Sequence, residues 1–504
     1  MSFAKIHTRG LLGLHAPLIE VEVHVSQGMP SLTIVGLPEA AVRESKDRVR
    51  SAILNSGYQF PTKRLTINLA PADLPKDGSR LDLPIALGIL MASGQLPENC
   101  TDGMEFIGEL ALDGQLRPIT GTLSIAIACQ QSQHELILPK ENAQEACQLP
   151  DFRVFAAAHL KEVCDHLNKL APLVQMQARP QVNHSDSRFD LADVKGQLRP
   201  RRALEIAAAG GHSLLFRGPP GTGKTLLASR LASILPPLNT EENLEVASIY
   251  SIANNSHTFG QRPFRAPHHT ASAVALVGGG SHPKPGEITL AHLGVLFLDE
   301  LPEFDRSAME VLRQPLEERK INITRVSGSV CFPAAFILVC AMNPCRCGYF
   351  GHPTHPCSCS DTSRRSYVSK ISGPLLDRID IQLEIPPLDF SELSQRTPSE
   401  PSSAIRARVM KAREFAAKRF GDPAMANGFM KSAELRKYCS LDDAGTALMK
   451  RAFDALSLSA RSYDRILRVA RTIADLDGSE VIDTPHIAEA VQYRSLDRKY
   501  WQTR

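Results

Sequence analysis

Hydrophobic and polar residues alternate with two different periods in the first third of the chain. Runs in which every second residue is apolar predict strands, whereas apolar residues that recur every three or four positions predict helices. Helices are predicted at Glu39–Asn55 and Leu83–Ala92. Strands are predicted at Leu18–Val25, Ser31–Val35, Leu65–Leu69 and Leu136–Leu138. This mixture predicts an α+β or α/β domain over residues 1–167.

The periodic pattern stops at residues 168–189, where Pro172 and Pro180 stand among polar residues that are typical of a linker. Strands and helices alternate again over residues 190–387, which predicts an α/β core on a parallel sheet. A polar stretch, Pro386–Pro401, ends this region. Residues 388–504 have a nearly continuous helical pattern and are predicted to form a C-terminal helical domain.

A short apolar strand, Ser213–Arg217, runs into a glycine-rich loop and then into a helical run, Leu226–Leu235. The loop residues are Gly218, Pro219, Pro220, Gly221, Thr222, Gly223, Lys224 and Thr225. In this order, backbone N–H groups and the helix N-terminus face phosphate oxygens. Lys224 supplies a charge for the β and γ phosphates, and Thr225 offers a hydroxyl to Mg²⁺. The sequence therefore predicts a P-loop for ATP or GTP.

Two later strands end in polar residues that suit hydrolysis. Val295–Leu298 leads into Asp299 and Glu300, and Phe336–Ala341 leads to Asn343. We expect Asp299 to hold the Mg²⁺ shell, Glu300 to polarise the attacking water and Asn343 to bridge this water and the γ-phosphate. Solvated acids at a strand end and a turn-forming Asn before proline are the plainer interpretations.

Several strings around these motifs are specific enough to indicate a family. They are Arg262–Thr270, Val277–Gly280, Pro285–Ile288, Gly294–Phe304 and Leu458–Arg465. Together with the P-loop, they resemble the magnesium-chelatase branch of the AAA+ ATPases, and most closely the ComM/YifB group linked to natural transformation. The resemblance covers essentially the whole chain.

The resemblance implies an AAA+ core with a helical lid and assigns roles by position. Asn343 would be sensor 1, Arg378 the arginine finger and Arg461 the sensor-2 arginine. Val194 and Gly196 stand where AAA+ proteins hold the adenine of ATP. A finger supplied to a neighbour's nucleotide implies a homo-hexameric ring.

Two segments are expected to face DNA in the pore of such a ring. The first is the insertion at about Ser256–Ala291, which carries Arg265 and Lys284. The second alternates apolar and polar residues around a Gly-containing turn and predicts a β-hairpin with Lys320 and Arg325. These four cations are the candidate phosphate contacts, and solvated surface charges are the alternative.

The N-terminal region resembles the Lon protease domain in the strings Pro75–Gly78 and Leu136–Asn142. That family uses a Ser–Lys dyad, but the matching positions here hold Arg80 and about Leu123, while Ser79 is one residue short of the nucleophile position. The resemblance therefore implies a Lon-like α+β fold without proteolysis.

Four of the eleven cysteines lie within residues 344–360. They are Cys345, Cys347, Cys357 and Cys359. Four thiolates on one short loop suit tetrahedral Zn²⁺, and His352 or His355 could replace one of them. A reduced loop without metal is the alternative.

Composition narrows the setting without identifying the function. The chain has 504 residues, 43% of them hydrophobic, and a formal net charge of +3, which is too mild to indicate a nucleic-acid partner by itself. No apolar run reaches the roughly 18–20 residues that span a bilayer. The first residues lack the pattern of a signal peptide, and the other cysteines are scattered, so we expect a cytoplasmic protein.

These observations favour an ATP-driven hexameric helicase or translocase that acts on single-stranded and branched double-stranded DNA. The resemblance implies branch migration during homologous recombination in natural transformation, together with recombination proteins as partners. A magnesium chelatase subunit and a protein-remodelling ring ATPase remain as alternatives.

Overall fold

The structure is a computed structural model. It describes residues 2–37, 40–74, 76, 78–177, 189–280, 283–325, 328–387, 399–456, 458–494 and 496. Much of the predicted linker and of the polar stretch Pro386–Pro401 therefore lies outside the described residues. Within them, no helix is both long and apolar enough to cross a membrane.

The N-terminal region is built on a seven-stranded mixed sheet in the order β3-β4-β2-β1-β5-β8-β9. A separate two-stranded ladder pairs β6 with β7. The strands are β1 (Phe3–Arg9), β2 (Leu18–Ser26), β3 (Ser31–Val35), β4 (Arg64–Ala70), β5 (Met104–Phe106), β6 (Glu109–Leu110), β7 (Leu116–Arg117), β8 (Glu135–Pro139) and β9 (Val154–Ala157). Strand β2 alternates buried and more exposed positions, as its sequence predicts.

Helices cover this sheet and fill its core. They are α1 (Ala40–Asn55), α2 (Asp82–Ala92), α3 (Thr122–Gln131), α4 (Ala143–Ala146) and α5 (Leu160–Leu167), with 3₁₀ turns at Ser79–Leu81 and Lys140–Asn142. Every residue of α2 is buried, and all of them except Asp82 are apolar, as expected for a helix enclosed in a core. The four strands and two helices predicted for this region are therefore confirmed to within a residue or two at their ends.

The central region is built on a second sheet of five parallel strands in the order β11-β14-β17-β10-β18. These strands are β10 (Leu214–Arg217), β11 (Phe264–Arg265), β14 (Val295–Leu298), β17 (Ile337–Met342) and β18 (Ile381–Glu384). The residues of β10, β14 and β17 are all buried, as expected for parallel strands covered on both faces. In chain order this sheet reads 2-3-4-1-5, so the strand before Asn343 lies between the P-loop strand and the acidic strand.

Helices and two antiparallel strand pairs surround this core. The helices are α6 (Leu198–Gly210), α7 (Lys224–Ile234), α8 (Thr240–Ala253), α9 (Ala273–Val277), α10 (Glu287–Leu290), α11 (Arg306–Glu310), α12 (Arg313–Glu318), α13 (Asp361–Ser369) and α14 (Gly373–Leu376), with 3₁₀ turns at Leu191–Asp193 and Leu301–Glu303. The antiparallel strand pairs are β12 (Gly278–Gly279) with β13 (Lys284–Pro285), and β15 (Lys320–Arg325) with β16 (Gly328–Pro333). The second pair confirms the predicted β-hairpin.

The C-terminal region is helical, as predicted. Its helices are α15 (Ser402–Phe420), α16 (Ser432–Tyr438), α17 (Asp443–Leu456), α18 (Ala460–Leu476) and α19 (Thr484–Gln492), with a 3₁₀ turn at Asn427–Phe429. Helices α15 and α18 pack on α6, so they share one hydrophobic core with the parallel sheet. The C-terminal helices are therefore docked on the core through apolar contacts.

Among the described residues, the N-terminal region contacts the core through α3 and through Leu12 and Leu14. Helix α3 packs against α8, and the Gly121 N–H donates to the Ser251 carbonyl at 3.3 Å. Leu12 and Leu14 pack against the hydrophobic cluster that contains Val330 of the β15–β16 hairpin. One face of this hairpin therefore lies under the N-terminal region.

Candidate nucleotide site and cysteine centre

Three neighbouring strands bring the predicted catalytic residues to one edge of the parallel sheet. The P-loop follows β10, Asn343 follows β17, and Asp299 and Glu300 follow β14. Because parallel strands end on the same side, these groups converge at the carboxyl edge, where open α/β sheets bind ligands. The sheet order thus places Asn343 between the P-loop and the acidic pair.

The P-loop has the geometry of a phosphate cradle. Gly221 and Gly223 have φ angles of 78° and 80°, a left-handed conformation that favours glycine. Lys224 begins α7, and its Nζ lies 2.8 Å from the carbonyl oxygens of Gly218 and Pro219. The same Nζ donates to Asn343 Oδ1 at 3.2 Å. Burial lowers the pKa of Lys224 from its ordinary value, so an anionic ligand would favour its charged form.

Thr225 and Asp299 place two oxygen atoms side by side, of the kind that Mg²⁺ prefers as ligands. The Thr225 hydroxyl donates to Asp299 Oδ2 at 2.8 Å, although the two residues are 74 positions apart in sequence. A hydroxyl and a carboxylate in contact beside a P-loop fit the hard, oxygen-seeking Mg²⁺. The residues present therefore suit the metal that the sequence predicts.

Glu300 follows the end of β14 and has an unusual backbone conformation. Its φ is 51°, in the left-handed region that is uncommon for residues other than glycine and that often marks functional sites. Its carboxylate lies 3.1 Å from His269 Nδ1 and remains about half exposed, at 52%. The contact with His269 was not foreseen from sequence, although both histidines of the Ala-Pro-His-His string stand within the family signature.

The segment predicted to hold adenine lies beside the P-loop. Gln197 donates from Nε2 to the Thr222 carbonyl at 2.8 Å. Val194 is buried, and Gly196 has a φ of 59° in the turn that precedes α6. The structure therefore brings Val194 and Gly196 close to the P-loop, and their contact with adenine stays a prediction.

Arg378 lies at the opposite edge of the sheet from its own P-loop. It stands three residues before β18, whose first residue, Ile381, is paired with Leu214 at the start of β10. The Ser213 hydroxyl, just before β10, donates to the Arg378 carbonyl at 3.0 Å. Four strand residues at about 3.3 Å each separate the two edges by about 13 Å. Arg378 is thus remote from the nucleotide site of its own chain.

The Arg378 side chain is held by groups of the same chain. Its guanidinium donates to the Pro374 carbonyl at 2.7 Å and pairs with Glu317 of α12. Only 10% of the side chain is exposed, so a contact with a neighbour would need the Glu317 pair to open or to be shared.

Arg461 lies on the same side of the core as Arg378. It is exposed in the first turn of α18. The next residue, Ser462, accepts a hydrogen bond at 3.1 Å from Arg494, which also donates to the Ile379 carbonyl at 2.5 Å. The first turn of α18 is therefore anchored beside the segment that carries Arg378.

Of the predicted DNA contacts, the two lysines are exposed. Lys284 in β13 and Lys320 in β15 are both exposed. Arg325 lies at the end of β15, paired in register with Gly328. Arg265 is instead in the edge strand β11, and Glu287 binds its guanidinium through two hydrogen bonds of 2.7 Å. A phosphate contact by Arg265 would therefore require this pair to open.

The two positions that match the Ser–Lys dyad of Lon hold other residues here. Arg80 and Leu123 are both buried, and the Ser79 hydroxyl donates to the Glu109 carboxylate. Neither the nucleophile nor the lysine of a protease dyad is present at these positions. Loss of proteolysis stays a prediction.

The four clustered cysteines converge on one point. Their sulfur atoms all lie within 4.8 Å of one another, and the described residues contain no other such group of metal-ligating atoms. Backbone N–H groups, that of Tyr349 first, lower the pKa of Cys347 to about 5, which favours the thiolate that binds metal. His352 and His355 are outside this group.

Three family models match successive parts of the chain. Residues 190–393 match the family model for the magnesium chelatase subunit ChlI. Residues 21–142 match a second ChlI model, and residues 399–494 match the C-terminal ChlI model. The N-terminal part is also similar to Lon protease 2 of Bacillus subtilis, which is 26% identical over 181 residues.

Fold and site together define a Mg-chelatase-like protein of the AAA+ P-loop class. The competence protein ComM of Haemophilus influenzae is 47% identical over 506 residues, covering 99% of this chain and 98% of ComM. YifB of Escherichia coli is 48% identical over 505 residues, with the same coverage. The chain therefore belongs to the ComM/YifB family of Mg-chelatase-like proteins.

Proposed function

We propose that this protein is an ATP-driven DNA motor: a hexameric helicase or translocase that promotes branch migration in homologous recombination during natural transformation. The contact of Lys224, Thr225, Asp299 and Asn343 at one sheet edge supports ATP and Mg²⁺ as cofactors. The name of the Haemophilus relative supports a role in competence.

The positions of Arg378 and Arg461 are the main support for the proposed ring. Arg378 and Arg461 lie across the core from the nucleotide site of their own chain. An arginine that neutralises charge on the γ-phosphate must come within hydrogen-bond distance of it. Both arginines therefore serve the site of an adjacent subunit in a closed ring of identical chains.

The exposed lysines of the two hairpins supply the DNA contacts. Lys284 and Lys320 present charge without a carboxylate partner among the contacts of the described residues, whereas Arg265 is paired with Glu287. Cations that bind phosphates release counterions from DNA, so their contribution falls steeply with salt.

The four-cysteine centre is proposed to hold one structural Zn²⁺ ion. In a tetrahedral site the sulfur atoms lie about 2.3 Å from zinc, and so about 3.8 Å from one another. Three sulfur pairs here are 3.3, 3.6 and 3.6 Å apart. The arrangement is close to that of a closed Cys₄ site.

ATP hydrolysis measured with and without DNA tests the motor directly. We expect single-stranded and forked DNA to stimulate hydrolysis, and forked and four-way junctions to be unwound or migrated. Lys224→Ala should remove hydrolysis in both conditions because it deletes the phosphate contact. Unchanged hydrolysis in the presence of every DNA substrate would contradict the motor and favour metal insertion or protein remodelling.

Variants of the hairpin lysines test the DNA contacts. Lys320→Ala and Lys284→Ala should each weaken DNA binding and make its salt dependence shallower by about one unit of slope for every phosphate that the removed lysine neutralises. Hydrolysis without DNA should be unchanged. Lys450→Ala, an exposed lysine of α17, is the matched control and should bind DNA normally. Equal binding by all three variants would remove the hairpins from the interface.

A further inference from the structure

The loop that carries the four clustered cysteines, residues 344–360, is called the cysteine loop here, and it contacts the P-loop. A Cβ atom placed on Gly348 would lie only 2.7 Å from Pro220 Cδ, so the loop backbone packs directly on the phosphate-binding loop. Gly348 immediately follows Cys347 in the chain. The position of one cysteine is thereby coupled to the position of Pro220.

A second contact joins the start of the cysteine loop to the strand that precedes the P-loop. The buried Arg217, the last residue of β10, donates from Nη2 to the Pro344 carbonyl at 3.0 Å. Pro344 lies between Asn343 and Cys345. The start of the cysteine loop is thus attached to the strand that carries the P-loop, next to the Asn343 amide that contacts Lys224.

The rest of the loop is held mainly by contacts within itself, such as the ring contacts among Tyr349, His352 and His355. Residues 353–356 are exposed, and Cys345 is the one buried cysteine of the four. Arg364 of α13 adds an anchor, because it donates to the Cys359 carbonyl at 3.1 Å and lies 3.9 Å from Cys357 Sγ. Closure of the loop by a metal would offset part of the conformational entropy that is lost when the loop is ordered.

We propose that zinc in the four-cysteine centre is a latch for the nucleotide site: by closing the loop, the metal holds Gly348 against Pro220 and fixes the backbone that presents Asn343. A bound metal clamps four points of the loop at once, and the positive charge of Arg364 complements the net negative charge of a Zn²⁺–thiolate₄ centre. The latch deepens the nucleotide-site part of the proposed function and is independent of DNA.

Metal content and ATP binding of the full-length chain test the latch in two steps. Protein prepared without a histidine tag should contain one zinc ion per chain. Cys357→Ser should release the zinc and bind ATP about tenfold more weakly, the size of effect typical when the groups that support a site are removed. Cys147→Ser, a half-exposed cysteine of the N-terminal region, is the control and should change neither property.

A pair of glycine variants separates the latch from the metal. Gly348 and Gly351 have similar φ angles of 88° and 79°, but a Cβ at Gly351 would meet no atom within 4 Å. Both alanine variants therefore carry the same backbone strain, and Gly348→Ala alone pushes on Pro220. Both should retain zinc, whereas only Gly348→Ala should bind ATP about tenfold more weakly. Titration in the Glu300→Gln background avoids hydrolysis during the measurement.

Each outcome of these experiments decides the proposal. Well under one zinc per chain would overturn the metal site. If Cys357→Ser removes the zinc but leaves the ATP affinity unchanged, the latch is overturned. Equal ATP affinities of Gly348→Ala and Gly351→Ala would overturn it as well. Failure of DNA to stimulate hydrolysis would contradict the motor but would leave zinc content and ATP affinity as direct readouts of the latch.

Discussion

At the scale of residues, the most informative contact is that between Glu300 and His269. Glu300 is the expected base for the attacking water, and a carboxylate that is hydrogen-bonded elsewhere is a weaker partner for that water. His269 belongs to the segment that leads into α9 and the β12–β13 hairpin, one of the proposed DNA contacts. Displacement of this segment by DNA would release the carboxylate, which connects DNA binding to hydrolysis.

Replacement of His269 tests this connection. His269→Ala should raise hydrolysis without DNA a few-fold and reduce the stimulation by DNA, because Glu300 is no longer held away from water. The neighbouring His268→Ala is the control, since His268 Nδ1 contacts the Thr270 hydroxyl at 2.9 Å rather than Glu300. Initial rates with and without DNA give both quantities. A lower rate without DNA would show instead that His269 positions Glu300 for catalysis.

Replacement of Glu300 itself tests the assignment of the base. Glu300→Gln keeps the size of the side chain and leaves Asp299, the proposed Mg²⁺ ligand, unchanged, so ATP should still bind. Turnover should fall by about a hundredfold or more, because the amide does not accept a proton from water. Single-turnover rates and ATP affinity measure the two effects separately. Turnover within a few-fold of the unmodified protein would assign the base to another residue.

The residues that the structure brings together at the carboxyl edge were predictable because each follows a local pattern in the sequence. The P-loop stands in one run of eight residues, and Asp299 and Glu300 end a fully apolar strand. The contacts of Glu300 with His269, Gly348 with Pro220 and Arg265 with Glu287 were not predictable in this way. They join segments that are distant or differently paired in the fold, and no local periodicity marks them.

At the scale of elements, Asp380 connects the parallel sheet to the C-terminal helices. It lies just before β18, its Oδ2 is 3.1 Å from His212 Nδ1, and its other oxygen pairs with Arg465 of α18. Burial alone would raise the pKa of Asp380, but the charge of Arg465 and the contact with His212 outweigh burial and hold the pKa below its ordinary value. The carboxylate thus ties three elements together.

Removal of this charge should loosen the docking of α18. Asp380→Asn should lower the free energy of unfolding at neutral pH by about 3 kcal/mol, because it leaves Arg465 without its buried partner. A carboxyl group with a depressed pKa stabilises the fold above its unfolded pKa of about 3.9 and loses this effect as the pH falls. The difference between the two proteins should therefore shrink below about pH 4.

Denaturant unfolding at several pH values measures this difference. Asp377→Asn, three residues earlier and only half-buried, is the control and should change the stability little. A difference for Asp380→Asn that stayed constant from neutral to acidic pH would contradict the electrostatic explanation.

The elements themselves were predictable where their residues pack locally. The β15–β16 hairpin follows from alternation around one turn, and the helical C-terminal region follows from its periodicity. Strand β11 was not predicted, and Arg265 was expected in a projecting insertion. The two residues of β11 form a strand because they pair with the edge of β14. Tertiary pairing here overrides a weak local signal.

At the scale of the whole molecule, the two edges of the parallel sheet carry different groups. The carboxyl edge holds Lys224, Asp299 and Glu300, and the opposite edge presents Arg378 and the first turn of α18 with Arg461. In the proposed ring, a chain with this polarity would supply arginines from one edge of its sheet and receive a neighbour's arginines at the other. Such heterologous contacts close into a ring when the rotation between subunits permits it.

Mixing of two inactive variants tests whether the site is shared between chains. Lys224→Ala retains Arg378 but does not hold phosphate, whereas Arg378→Ala retains a complete nucleotide site but supplies no finger. Each should be inactive alone, with a loss of roughly a thousandfold for the finger. In mixed rings, a Lys224→Ala subunit can donate Arg378 to the intact site of its neighbour, so hydrolysis should recover in proportion to such interfaces. Recovery is greatest near equal mixing.

The double variant Lys224→Ala/Arg378→Ala, mixed with Arg378→Ala, is the control and should restore nothing. Absence of recovery in rings shown by mass to contain both variants would place the arginine in the site of its own chain.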